Sequence, residues 1–221
     1  MHIMSFYPLN LGGQTDDRET AKVLDVLGSL VAKTIDAKLD GLTALPVRKY
    51  FDRSLDEHIA RFASEGRNFS LISLDLDHFK DINDKHGHSA GDLVLAALAR
   101  ILHNGVRARS ECTDTVFRTG GEEFSIILSD VSRDEAARIA ERLRNAIKVH
   151  DFGMPVTCSF GVADILEVPG ETPGAAIYKL ADDRLYIAKS TGRDSVVSYD
   201  KGSHVRMKAV QMPDVDKAGN Q

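Results

Sequence analysis

Two short apolar runs, Thr115-Val116-Phe117 and Phe124-Ser125-Ile126-Ile127-Leu128, flank the stretch Arg118-Thr119-Gly120-Gly121-Glu122-Glu123. Strand-like runs joined by paired glycines predict a β-hairpin, with the glycines supplying the positive φ angles of a tight turn. That pairing commits the middle of the chain to antiparallel sheet. The turn also carries two adjacent carboxylates, Glu122 and Glu123, whose like charges repel. A metal ion or a proton-transfer role would give such a pair a purpose, and a solvated acidic turn is the plain alternative.

A chain of 221 residues fits one domain plus an extension, and its 43% hydrophobic and 28% charged residues suit a globular protein. The net charge of -5 argues against a surface that coats nucleic acid. Cys112 and Cys158 lie far apart with no zinc-type spacing, which suits a reducing compartment. No apolar run approaches the roughly 20 residues that cross a bilayer. Met1-His2-Ile3-Met4 lacks the pattern of a signal peptide. The expectation is a cytoplasmic chain with neither nucleic acid nor membrane as partner.

Residues 1–14 read as a flexible lead. An amphipathic helix follows over 15–40, with Leu24, Leu27, Val31, Ile35, Leu39 and Leu42 recurring every three or four residues. It serves either to pack on the main domain or to dimerise. Residues 41–200 form the main domain, and 201–221 a polar flexible tail. Within the domain, helical spacing runs through Phe51, Leu55, Ile59 and Phe62 and stops at Gly66. Phe69–Leu76 reads as a buried strand ending in acid, a place where side chains reach past the packed sheet. A short helix from His78, a turn over 84–91 and a longer helix from Asp92 precede the hairpin. Ser132 or Asp134 caps the next helix, 155–162 reads as a strand, Pro173 opens a last long helix, and 195–199 closes the sheet. The order predicts an α/β fold of the α+β type, with a mixed, mainly antiparallel sheet flanked by helices.

Asp75, Glu122 and Glu123 thus sit at a strand end and a hairpin tip, where neighbouring strands could bring them together. Hard oxygen donors suit Mg²⁺, with Mn²⁺ as a substitute. His78, His86 and His88 lack zinc spacing.

The stretch around Gly-Gly-Glu-Glu-Phe resembles the signature of the GGDEF family, the diguanylate cyclases, and the resemblance covers roughly residues 40 to 200. Asp40-Gly41-Leu42-Thr43-Ala44-Leu45-Pro46-Val47-Arg48 is similar to the family's opening motif D-x-L-T-G-L-P-x-R, with Ala44 where glycine is usual. Leu74-Asp75-Leu76-Asp77-His78-Phe79-Lys80, Ile82-Asn83-Asp84, Gly87-His88-Ser89-Ala90-Gly91-Asp92 and Leu185-Tyr186-Ile187-Ala188-Lys189 through Arg193 match its other motifs in order.

The resemblance implies a nucleotide-cyclase or polymerase-palm-like sheet and a metal held by Asp75, Glu122 and the carbonyl of Leu76, with Glu123 a weaker ligand. It implies a GTP site of Phe79, Lys80, Asn83, His88, Asp92, Gly120, Gly121, Lys189 and Arg193. Asn83 and Asp92 would read guanine, Lys80 would stabilise the transition state, and Glu122 would accept the proton. A homodimer is expected, because each domain holds one GTP, and an upstream sensor or downstream receptor protein is a further expected partner. The implied activity joins two GTP into cyclic di-GMP. A silent GTP- or partner-binding regulator, and a cyclase making adenine-containing products, are the alternatives. Many members carry an inhibitory product site, R-x-x-D. Here Glu111 replaces its arginine while Asp114 is retained, so no such site is expected.

Overall fold

In the computed structural model the described residues are Asp25, 38–106, 114–168, Gly170 and 173–199. The lead over 1–14, the tail over 201–221, Glu111 and nearly all of the expected helix over 15–40 lie outside them. The chain divides into two units, Met1–Lys38 and Leu39–Gln221. The second unit holds all the strands found among the described residues.

Its elements run α1 (Arg48–Glu65), β1 (Phe69–Leu76), α2 (Phe79–His86), α3 (His88–Gly105), β2 (Thr115–Arg118), β3 (Glu123–Ser129), α4 (Arg133–Val149), β4 (Cys158–Asp164), a 3-10 turn (Ile165–Glu167), α5 (Pro173–Ser190) and β5 (Val196–Val197). The strands form one sheet in the order β2-β3-β1-β4-β5. All pairings are antiparallel except β4 with β5. This is the mixed, mainly antiparallel sheet that the element order predicts.

β1 lies at the centre, and all eight of its residues are buried. Successive side chains of a strand point to opposite faces, so Ile72, Leu74 and Leu76 enter one core and Phe69 and Leu71 the other. The first core is covered by α2, α3 and α4, the last through Ala136, Ala140, Leu143 and Ile147. The second is covered by α1 and α5, through Phe51, Leu55, Ile177 and Ala181. Ser73 and Asp75 continue the face of Leu71, which aims Asp75 toward the layer of α5 rather than that of α2.

Several local expectations change. Leu39, expected in the helix over 15–40, instead forms an antiparallel bridge to Pro46, and the closing strand expected over 195–199 is Val196–Val197. The turn expected over 84–91 is a single residue, Gly87, whose φ of 82° and ψ of 159° only glycine adopts readily. Hence α3 begins at His88, Asn83 lies inside α2, and Asp92 sits in the second turn of α3 instead of capping it. Gly120 and Gly121 do not take the positive φ expected of the hairpin turn. The strand expected from Pro155 begins at Cys158, the residue that pairs with the last position of β1.

Helix ends follow the sequence signals. Gly66 terminates α1 in the left-handed region with φ of 69°, and the Ser132 hydroxyl accepts a hydrogen bond from Glu135 N at the start of α4. Ala44 has a φ of 55°, a conformation that costs a non-glycine residue about 1–2 kcal/mol. Glycine would relieve that strain but lose about 0.4–1 kcal/mol to unfolded-chain entropy. Ala44→Gly is therefore expected to stabilise the domain by about 0.5 kcal/mol, a rise in Tm of about 1–2 °C. Thermal denaturation of both proteins checks the sign.

Candidate active site

The end of β1 is where the acids gather. Asp75 is paired in register with Glu123 on β3 and with Ser159 on β4. The Leu76 N–H donates to the Glu122 carbonyl at 3.3 Å, so the hairpin tip is stitched to the strand end. Asp75 is 4% exposed, Glu122 is half-buried and Glu123 is exposed. Lys189 Nζ, from the last turn of α5, lies 2.8 Å from Asp75 Oδ2. Burial lifts the Asp75 carboxyl to about 6; Lys189 pulls it down, while Glu122 and Glu123 push it up again. Three mutually repelling carboxylates with one lysine are an oxygen-rich, electron-rich donor set. That chemistry fits a hard divalent cation, which takes one or two carboxylates and completes its shell with substrate phosphates. Among the described residues no group of three or more His, Cys, Asp or Glu side chains is placed to hold a metal ion by itself, so other ligands would have to complete the shell.

The tip is held by Arg118, to which the sequence pattern assigns no role. Its Nη2 and Nε donate to the Gly121 carbonyl at 2.7 and 3.2 Å, and Nη1 to Asp40 Oδ1 at 2.7 Å. Asp40 is itself set by Thr43, whose N–H and hydroxyl donate to the same oxygen. The opening motif thus braces the hairpin across 78 residues of sequence. The Glu123 side chain folds back over Gly120, where a Cβ would lie 2.4 Å from Oε2 and push that exposed carboxylate aside.

Beside the acids, α2 starts from His78, whose left-handed φ of 57° turns the chain sharply out of the strand. No side chain caps this helix. Its first N–H groups therefore have no side-chain acceptor from the N-cap, the kind of helix start that can bind an anion. Lys80 is exposed in that first turn, while Phe79 is buried beneath it.

On the α3 side, Asn83 Oδ1 is buried with no hydrogen-bond partner among the described residues. It faces Gly91, where a Cβ would sit 2.0 Å from it. Asp92, next in sequence, is exposed, as is His88 one turn earlier. Arg193 is exposed just beyond α5. Of the two positions that correspond to the family's product site, where none is expected here, Glu111 lies outside the described residues. Asp114 is buried, and its Oδ1 accepts from Ser129 N at 3.2 Å.

Residues 37–195 match the family described as diguanylate cyclase, GGDEF domain, so this chain belongs to the GGDEF family. It is similar to the coiled coil and GGDEF domain of DgcB from Caulobacter crescentus, solved in complex with c-di-GMP. The two are 32% identical with a TM-score of 0.74, over 82% of this chain and 95% of that one. It is also similar to the diguanylate cyclase SiaD of Pseudomonas aeruginosa, solved with its activator SiaC, at 32% identity and a TM-score of 0.66, over 82% and 69% of the two chains. An uncharacterized membrane protein of Staphylococcus epidermidis is 33% identical over 166 residues, 72% of this chain. The match spans 45% of that relative's length. Among the described residues no helix is long and apolar enough to cross a membrane.

Proposed function

We propose that this chain is a diguanylate cyclase, converting two GTP into cyclic di-GMP and two pyrophosphates. The observation that carries the reading is the convergence of Asp75, Glu122 and Glu123 at the end of the central strand, beside the uncapped start of α2. Asp75, the Leu76 carbonyl and Glu122 would hold Mg²⁺, with Glu123 close by. When bound, the ion lowers the pKa of a coordinated hydroxyl and neutralises phosphate charge.

The protein's own groups do the rest. The first N–H groups of α2, with Lys80, Lys189 and Arg193, grip the triphosphate. Asn83 and Asp92 read the base, Asp92 accepting together from N1–H and the exocyclic amine of guanine. Adenine offers no such donor pair. Glu122 accepts the proton as one nucleotide's 3′-oxygen bonds to the α-phosphorus of the other and pyrophosphate leaves with the electron pair of the broken bond. The reciprocal attack closes the ring. One domain holds one GTP, so two copies must face each other, and that proximity supplies much of the rate. A partner protein, as a sensor or activator, would set the pairing.

Incubating the purified chain with GTP and Mg²⁺ and chromatographing the products tests the reading. Cyclic di-GMP is expected, and GTP returned unchanged by folded protein would overturn it. Asp92→Ser is expected to lower the preference for GTP over ATP by about tenfold or more, the usual worth of a lost bidentate base contact. An unaltered ratio of kcat/KM for the two nucleotides would refute the guanine assignment.

A further inference from the structure

The loop after α5 has an unusual backbone. Gly192, Arg193 and Asp194 all have positive φ, at 117°, 59° and 41°, and two of the three carry side chains. Such a run persists only where surrounding contacts over-determine it. Asp77 supplies the central contact. This second acid of the β1 motif is buried, and it does not sit with the acids around Asp75. Its Oδ2 accepts from Asp194 N at 3.0 Å and from the Thr157 hydroxyl at 2.7 Å, while its Oδ1 accepts from the Ser159 hydroxyl at 2.6 Å. From the other side, Arg144 and Lys148 of α4 grip the Asp194 carboxylate at 2.5 and 2.6 Å.

We propose that Asp77 is a positioning residue, a latch that holds the strained 192–194 loop so that Arg193 and Lys189 meet the substrate phosphates at a fixed place. The inference rests on the phosphate role proposed for those two residues. Its geometric part stands on the hydrogen bonds alone. With the latch in place, the end of α5 and the loop after it are tied to the end of β1 and the residue just beyond it, through Lys189 to Asp75 and through Asp194 N to Asp77. Those two ties set the distance of the loop from the strand end, and a third, Phe160 N of β4 donating to the Ser195 carbonyl at 2.9 Å, limits its rotation. Without Asp77 the Asp194 side chain keeps Arg144 and Lys148, but its backbone N–H loses the acceptor that holds the strained 192–194 backbone against the strand end.

Amide exchange by NMR and GTP kinetics on the full chain test this together. In the wild type the Asp194 amide must exchange slowly. In Asp77→Ala, exchange at 192–195 is expected to rise about tenfold or more, the worth of a lost hydrogen bond to a charged acceptor, with amides in the middle of β1 unchanged. KM for GTP should rise by a similar factor while kcat changes little. Asp77→Asn should restore most of both, because its amide oxygen can accept from Asp194 while its amide nitrogen donates to Ser159.

A fast-exchanging Asp194 amide in the wild type overturns the proposal even if Asp77→Ala does not fold. A loosened loop with unchanged KM overturns it as well, since Asp77 would then be structural only. A wild type that keeps the slow amide yet turns over no GTP defeats the proposed function, and with it the loop's role in phosphate binding.

Discussion

Glu122→Gln is expected to abolish cyclic di-GMP formation, by about a hundredfold to a thousandfold or more, the scale seen when one electrostatic partner of a transition state is removed. The substitution keeps shape and removes charge. It takes away both a carboxylate ligand and the group assigned to accept the 3′-hydroxyl proton. Its structural cost is small. The Glu122 backbone carbonyl, which accepts from Leu76 N, is retained, and the side chain is half-buried at a turn that Arg118 secures through Gly121. Stability is expected within about 0.5 kcal/mol of the wild type, as for most substitutions away from a packed core. Turnover by Glu122→Gln equal to that of the wild type, at matched thermal denaturation, would remove this residue from the chemistry.

The largest effect on stability is expected away from the acids. Arg184 of α5 is 2% exposed, and its guanidinium donates to the Val162 carbonyl at 2.7 Å and to both Glu167 oxygens at 2.8 and 2.9 Å. Arg133 adds a third ion-pair contact to Glu167 at 3.0 Å. Glu167→Gln leaves a buried guanidinium without its counter-charge, which costs about 3 kcal/mol, or about 6–12 °C in Tm for a domain of this size. Adding Arg184→Met should recover much of the loss, because the uncompensated charge is then gone.

Acid should erode the same interaction. Burial by itself would raise the Glu167 carboxyl, but hydrogen bonds from Arg184 and Arg133 hold it below its ordinary 4.5. Its contribution is therefore complete above about pH 4.5 and lost as pH falls through the lowered value. The Tm gap between wild type and Glu167→Gln should narrow over that acid range. A gap that stays constant down to about pH 3 would contradict the linkage.

Much of the fold was legible in the sequence because its signals are local. The hairpin around Gly120-Gly121, the Gly66 stop, the Ser132 cap and the Pro173 start depend on neighbours within a few residues, and each lies where the pattern puts it. The family, too, was legible, because its motifs recur in order along the chain. Distance in sequence hid the rest. A single glycine, Gly87, makes the break that the pattern spreads over eight residues, because its backbone conformation turns the chain in one step, and the fit of Gly91 against Asn83 is a contact between two helices that no local pattern reports.

The roles of Arg118 and Asp77 were invisible for the same reason. Their partners Asp40, Thr157 and Asp194 stand 78, 80 and 117 residues away. Periodicity reports which side of an element is buried, and short motifs report which groups are present. The family motif singles out Asp75 as the acid beside Glu122, but no local pattern says what the second acid, Asp77, holds. That was decided by tertiary structure. In the strand Asp75 pairs with Glu123, and once the strand ends at Leu76 the chain turns Asp77 toward the donors of β4 and the end of α5.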